Sequence, residues 1–252
     1  MARKIIIGNW KMNPLSLRQA EDLFRSIQKS ASSKTKINTI ICSPFLYLEK
    51  LKKLSKKVLV GSQDVFYEEK GAYTGEISAE MLKDIGVKYV IIGHSERRAM
   101  GESNIDINKK IKMALSFGLT IILCVGEHER DESHEYLNFI KTQIEECLKG
   151  IVKSFLPKII IAYEPVWAIG RNAVREATPK EFLEISIFIR KILSDKFGAK
   201  AIEKTKVIYG GSVNPKNTAD FLKEGETDGF LVGRDSLDPE KFGEIINITE
   251  NI

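Results

Sequence analysis

The stretch Ile159–Pro179, IIIAYEPVWAIGRNAVREATP, carries one complete unit of the architecture. It opens as a β-branched run with no polar alternation, the pattern of a strand buried on both faces of a parallel sheet. The run ends on a carboxylate, Glu164, locked against Pro165. A residue before proline is held extended, which aims that carboxylate at a fixed place. Trp167, Ala168, Ile169 and Gly170 follow as a loop that is apolar where a mere connection would be polar, so residues from about 165 to 177 read as a lid. The unit closes on Thr178-Pro179-Lys180-Glu181, a capping box with proline at the first helical position, and a helix is expected from there.

Outward from this unit the same grammar repeats. Further β-branched runs are KIIIGNW from Lys4, INTIICSPF from Ile37, VLVGSQDV from Val58 and VKYVIIGHS from Val87. LTIILCVGE from Leu119, KVIYGGSV from Lys206 and DGFLVGRD from Asp228 complete the set. Asn214-Pro215 and Asp238-Pro239 repeat the cap-then-proline start, and Ser16 with Gln19 is a weaker version. SLRQAEDLFRSIQ and TPKEFLEISIFIRKIL show helical apolar spacing. No linker or low-complexity tract divides the chain. Eight strand–helix units at intervals of roughly thirty residues predict an α/β protein with one domain over residues 1–252, a single (β/α)8 barrel of eight parallel strands. Periodicity alone also allows a doubly wound open sheet, but the G-x-G-x-x-G expected after its first strand is absent.

Composition narrows the function classes. Apolar residues make up 43% of the 252, enough for a sizeable core, and no run is long enough to span a membrane. The start MARKIIIGNWKMN lacks a signal-peptide pattern, and Cys42, Cys124 and Cys147 are odd in number and far apart. No disulfide framework, no zinc site and a cytoplasmic location are therefore expected. The net charge of +5 is mild, and lysines such as those of LKKLSKKV fit solvated helix faces better than nucleic-acid binding.

In such a barrel chemistry sits at the carboxyl ends of the strands. The first strand puts Asn9 and Lys11 on the face of Ile5 and Ile7, hence at the barrel mouth; simple exposure of Lys11 is the bland reading. His94 is expected to continue the face of Val90 and Ile92, with SERR opening a short helix whose N-terminal partial charge keeps the imidazole neutral; a purely structural histidine is the alternative. His128 and His134, in the helix-like acidic stretch GEHERDESHE, read as surface residues. Glu164 shares a face with Ile160 and Ala162 and suits a general base. YGGSVNP and LVGRDS expose backbone N–H groups that suit a phosphate dianion, although a lone Gly-Gly pair is usually only a tight turn. Acid, imidazole, lysine and anion cradle together suit proton abstraction beside a carbonyl in a small phosphorylated substrate, with the lid excluding water.

GNWKMN, GAYTGEIS, GHSERR, YEPVWAIG and YGGSV, in this order along essentially the whole chain, resemble the triosephosphate isomerase family. That resemblance implies the TIM barrel fold and interconversion of dihydroxyacetone phosphate and glyceraldehyde 3-phosphate, a step of glycolysis and gluconeogenesis, with no cofactor and no metal. It implies Glu164 as base, His94 as electrophile and Lys11 as the cation that stabilises the enediolate. Asn9 would hydrogen-bond the substrate and Glu96 would support the site from behind. Backbone N–H groups of Gly170, Ser212, Gly233 and Arg234 would hold the phosphate. Cys124 matches a family cysteine packed near the glutamate, and reads equally as a small buried residue without chemistry. The resemblance also implies a homodimer in which Thr74 touches the partner's site; alone, QDVFYEEKGAYTGE reads as a surface loop. A phosphate-binding barrel without catalysis is the competing function, but it would be expected to lose Lys11, His94 or Glu164.

Two departures from the family pattern stand out. After Gly170 the chain reads RNAVREATP, longer by about two residues and without a second glycine, and Arg171 or Arg175 is expected to pair with an acid there. In LVGRDS an arginine, Arg234, replaces a family glycine and is expected to keep an ordinary backbone conformation.

Overall fold

The computed structural model describes residues 3–170, 173, 175–203 and 205–252. Its strands are β1 (Lys4–Asn9), β2 (Ile37–Ser43), β3 (Leu59–Ser62), β4 (Tyr89–Ile92), β5 (Thr120–Val125), β6 (Ile159–Tyr163), β7 (Lys206–Tyr209) and β8 (Gly229–Val232). The helices are α1 (Leu17–Ala31), α2 (Phe45–Leu54), α3 (Ala79–Asp84), α4 (Ser95–Ala99) and α5 (Asn104–Ser116). They continue as α6 (Glu135–Cys147), α7 (Pro179–Phe197), α8 (Ala199–Ile202), α9 (Pro215–Lys223) and α10 (Pro239–Asn251). The strands pair in chain order, and β8 closes on β1, so the expected (β/α)8 barrel forms and the open sheet is excluded.

The start signals work as read. Thr178 and Asn214 each cap through a full box, and the Asp238 side chain accepts from Glu240 N and Lys241 N. Ser16 accepts only from Gln19 N, the half-cap its sequence suggested.

Alternation divides the core into two layers. Ile5 and Ile7 with Ile40, Ile122, Ile160 and Leu231 fill the barrel, while Ile6, Ile41, Ile121 and Ile161 pack outward against the helices. Each isoleucine buried in this way contributes about 1.5–3 kcal/mol relative to exposure.

Two expectations need correction. Val90 and Ile92 belong to the outer layer and Ile91 to the barrel interior, so His94 does not continue a barrel-facing row. Gly93, at φ +73°, breaks the alternation and turns the chain. GEHERDESHE is not helical: residues 126–134 form a loop and α6 begins at Glu135. Its side chains are drawn off, with Asp131 accepting from the N–H groups of Glu135 and Tyr136. His128 and His134 are exposed, as expected.

Closure constrains Gly229 most tightly. It sits at φ +152°, and a Cβ there would lie 1.8 Å from the Ile5 carbonyl oxygen. Gly229→Ala is expected to lower unfolding stability by on the order of 3 kcal/mol, because strained backbone and overpacking coincide. Urea unfolding of the two proteins measures it, and an unchanged midpoint would refute the constraint.

Candidate active site

The mouth of the barrel holds a cavity of about 460 Å3 whose lining includes Asn9, Lys11, His94, Glu164, Gly170, Ser212, Gly233 and Arg234. Residues from five different strand ends thus converge on one space. Thr74 is not brought there; it lies in an exposed turn between β3 and α3.

Glu164 is 2% exposed. Its backbone N–H donates to Val125 O, which fixes the chain as it leaves β6. The carboxylate accepts from the Ser95 N–H at 2.9 Å and lies 3.1 Å from His94 Nε2. Two glycines make room for it. A Cβ on Gly210 would come within 3.0 Å of Glu164 Cγ, and one on Gly126 within 1.8 Å of Glu164 O.

The tautomer of His94 follows from its partners. The backbone N–H of Glu96 donates to His94 Nδ1 at 3.2 Å as His94 caps α4, so Nδ1 carries no proton. The ring proton then sits on Nε2, facing Glu164. An imidazole with its Nε2–H turned into the mouth can polarise a carbonyl placed there.

Lys11 arrives by a less regular route. Its backbone is in the left-handed region at φ +53°, a conformation that costs about 1–3 kcal/mol for a residue with a side chain. Asn9 Oδ1 accepts the Lys11 N–H at 3.0 Å, and Gln63 Nε2 donates to Lys11 O at 2.9 Å and to Cys42 O at 3.0 Å. These bonds hold the strained residue so that its ammonium meets Glu96 Oε1 at 2.6 Å. Gln63 was not singled out from the sequence; its only signal was a polar residue just beyond a strand end.

The far side of the cavity is backbone-rich. Gly210, Gly211 and Ser212 follow β7, and Gly233 and Arg234 follow β8. Gly211 is required by the Tyr209 hydroxyl, which would lie 2.2 Å from a Cβ. Arg234 is not among the described non-glycine residues with positive φ and opens a short 3-10 turn, so the ordinary conformation expected for it holds. Glu176 also lines the cavity, an acid that sequence reasoning did not place there. Cys124 is fully buried, and burial followed by the charge of Glu164 raises its thiol well above the usual range. It packs beside the glutamate as an inert thiol.

Beyond Pro165 the chain forms a 3-10 turn, Val166–Ala168, with Trp167 and Ala168 buried. Glu127, at the end of β5, accepts from Tyr163 Oη at 2.7 Å and from Trp167 Nε1 at 2.8 Å through the same oxygen. Ser212 Oγ donates to Ala168 O at 2.9 Å. At the rear, Arg175 grips Glu181 with both terminal nitrogens, at 3.0 and 2.5 Å, and its guanidinium lies 4.5 Å from the centre of the Trp167 ring system. An arginine therefore does pair with an acid at the longer hinge. Arg171 lies outside the described residues.

A buried carboxylate beside a neutral imidazole can pass a proton next to a polarised carbonyl, and the glycine-rich wall can hold an anion. That is the chemistry of an aldose–ketose isomerase built on a phosphate-recognising barrel. A family model described as "Triosephosphate isomerase" matches residues 4–249. The triosephosphate isomerase of Dehalococcoides mccartyi is 46% identical over 97% of this chain and 96% of its own length. That of Dictyoglomus thermophilum is 44% identical over 98% and 99%, and that of Aquifex aeolicus 43% over 97% and 98%. The chain belongs to the triosephosphate isomerase family.

The hinge pairing has a titration signature. The Arg175 guanidinium, helped by the Thr178 cap, holds the Glu181 carboxyl down at about 2. A carboxyl lowered by folding contributes stability above its unfolded value, here the ordinary 4.5, and that contribution is lost as pH falls toward 2. Arg175→Gln is expected to move the Glu181 titration upward toward the ordinary value. Carbon-detected carboxyl shifts measure it, and an unmoved titration would show that the pair is not formed in solution.

Proposed function

We propose that this protein interconverts dihydroxyacetone phosphate and D-glyceraldehyde 3-phosphate through an enediolate, with no cofactor. The observation that carries the reading is the pairing of the buried Glu164 carboxylate with a His94 ring whose proton is on Nε2. In this reading Glu164 takes a proton from the carbon beside the substrate carbonyl. His94 Nε2–H donates to that carbonyl oxygen, and the Lys11 ammonium stabilises the negative charge that gathers there. His94 gives its Nε2 proton to the former carbonyl oxygen and takes one back from the neighbouring hydroxyl, Glu164 returns the abstracted proton to the neighbouring carbon, and hydroxyl and carbonyl have thereby exchanged places. Asn9 would bond the substrate, Glu96 would position Lys11, and backbone N–H groups of Gly170, Ser212, Gly233 and Arg234 would hold the phosphate.

Residues 165–177 would act as a lid. Glu164 precedes Pro165 directly, so movement of the Val166–Ala168 turn would swing the carboxylate off the Ser95 N–H and toward substrate. Closure would also exclude water that would otherwise drain the enediolate toward phosphate loss.

We further propose a homodimer. Met12 and Leu15 after β1, Leu46 after β2, Met81 after β3 and Met100 after β4 are 55–88% exposed, an apolar surface uncommon on a lone chain. The Thr74 turn lies on the same βα side and would reach the partner's Lys11 region. A cytoplasmic location suits three buried, unpaired cysteines, and no described helix is long and apolar enough to cross a membrane.

Coupled assays in both directions test the chemistry. Glu164→Asp withdraws the carboxylate by about one methylene, and a loss in kcat on the order of a hundredfold with little change in KM is expected. A wild type that binds an enediolate analogue but does not turn over would instead make this a binding protein. Sedimentation tests the assembly: the wild type should run at twice the chain mass, and Thr74→Arg should shift it toward the monomer with reduced activity. A monomeric, fully active wild type would overturn the dimer.

A further inference from the structure

The lining of the barrel-mouth cavity includes an acid that the chemistry above does not use, Glu176. Several charged groups there already have partners. Lys11 meets Glu96, Asp235 faces Lys241 at 3.9 Å, and Glu164 accepts from the Ser95 N–H. Arg175, the residue before Glu176, turns its guanidinium to Glu181 and to the face of Trp167. Toward Glu176 it donates only to the main-chain carbonyl, at 3.1 Å. The next residue, Ala177, is buried, and Thr178 caps α7, so the backbone that carries Glu176 to the cavity is held from behind. Glu176 itself is exposed.

The Tyr209 hydroxyl marks the wall that this acid acts on. It lies against Gly211, where a Cβ would meet it at 2.2 Å. Burial, and after it the Glu176 charge, push the Tyr209 phenol above its usual range. Glu176 is therefore within electrostatic reach of Gly210, Gly211 and Ser212, the backbone that forms the anion side of the cavity. An acid on that side is unexpected, because the same wall is otherwise suited to a phosphate dianion. Repulsion between a dianion and a carboxylate across a half-wet cavity is enough to change a binding constant about three- to tenfold.

We propose that Glu176 is a specificity-determining residue of this site, whose carboxylate opposes dianions at the Gly210–Ser212 wall and keeps bare phosphate weakly held. This role rests on the phosphate-site reading given above and does not depend on which phosphate ester is turned over. The repulsion falls on every dianion alike. A phosphate ester whose carbonyl and hydroxyl groups also reach Asn9, Lys11 and His94 has contacts that offset it, and inorganic phosphate has none. With a neutral side chain at this position, free phosphate would fill the cavity at a lower concentration.

Inorganic phosphate is the probe, titrated into the whole protein at low salt and neutral pH and followed by the amide resonances of Gly210, Gly211 and Ser212. Glu176→Gln should tighten phosphate about three- to tenfold, while Glu176→Asp, which keeps the charge, should stay close to wild type. The gap between wild type and Glu176→Gln should shrink as salt rises. In turnover, Glu176→Gln should lower KM for the triose phosphate with little change in kcat, the mark of altered uniform binding. Thermal melting checks that each variant is folded. Phosphate that never shifts those resonances, equal affinity in wild type and Glu176→Gln, or a gap that Glu176→Asp shares or salt leaves untouched would overturn the proposal. Charge-dependent phosphate binding without isomerisation would sink the isomerase reading alone. Normal turnover with phosphate affinity indifferent to Glu176 would sink this role alone.

Discussion

The pairing of β8 with β1 is the constraint on which the rest depends. Gly8 lies opposite Val232 in that register, which sets Asn9 and Lys11 beside Gly233 and Arg234. A Cβ on Gly233 would already sit 3.6 Å from Lys11 Cε. In an open sheet, β1 and β8 would be separated, and the ammonium and the backbone after β8 would have no common space. Closure needs the two backbones to approach where Gly229 meets Ile5, at the opposite end from the mouth. The architecture thus places its tightest backbone contact away from its functional groups, in keeping with the division between a stabilising and a functional face.

What the sequence reveals follows from how local each cause is. Strands, caps and the apolar lid are written in neighbouring residues, and Glu164 is legible because plain alternation carries the face of Ile160 and Ala162 to the mouth. His94 and Lys11 reach the mouth by breaking alternation. A glycine at φ +73° rotates one, and a left-handed backbone held by Asn9 and Gln63 rotates the other. Parity counting therefore follows β6 to Glu164 but gives the wrong face for β4. The loop after β5 failed for another reason. GEHERDESHE has helical composition, yet its acids and Arg130 find partners on Tyr163, Trp167, α6 and α7, which no local pattern records.

Glu127 shows how much one such tertiary choice can organise. It stands at the end of β5, accepts from a tyrosine on β6 and from Trp167, and so ties two strands to the turn that follows β6. Burial and the Glu127 charge push the Tyr163 phenol well above its usual range, which keeps it a donor. Losing either donor would leave the carboxylate buried with still fewer partners, and unpaired buried charge is among the costlier defects a fold can carry. The Val166–Ala168 turn is consequently anchored by electrostatics as well as by the burial of Trp167.

The same logic holds for the residues just before α7. Where a glycine would supply freedom, Arg175 supplies attachment: it bonds Glu181 and covers the Trp167 ring. Glu181 is not a spare acid, since it also completes the Thr178 capping box that starts α7. The hinge is therefore tied into the helix start through a side chain whose capping role already fixes it in place. Two contacts meet on one indole, which is held at its edge by Glu127 and across its face by Arg175. Trp167 lies just beyond Pro165 and Glu164 in the chain, so the contacts on it bear on the segment that carries the carboxylate. The carboxylate at the barrel mouth is thus linked to the start of α7 through packed side chains, from Trp167 through Arg175 to Glu181.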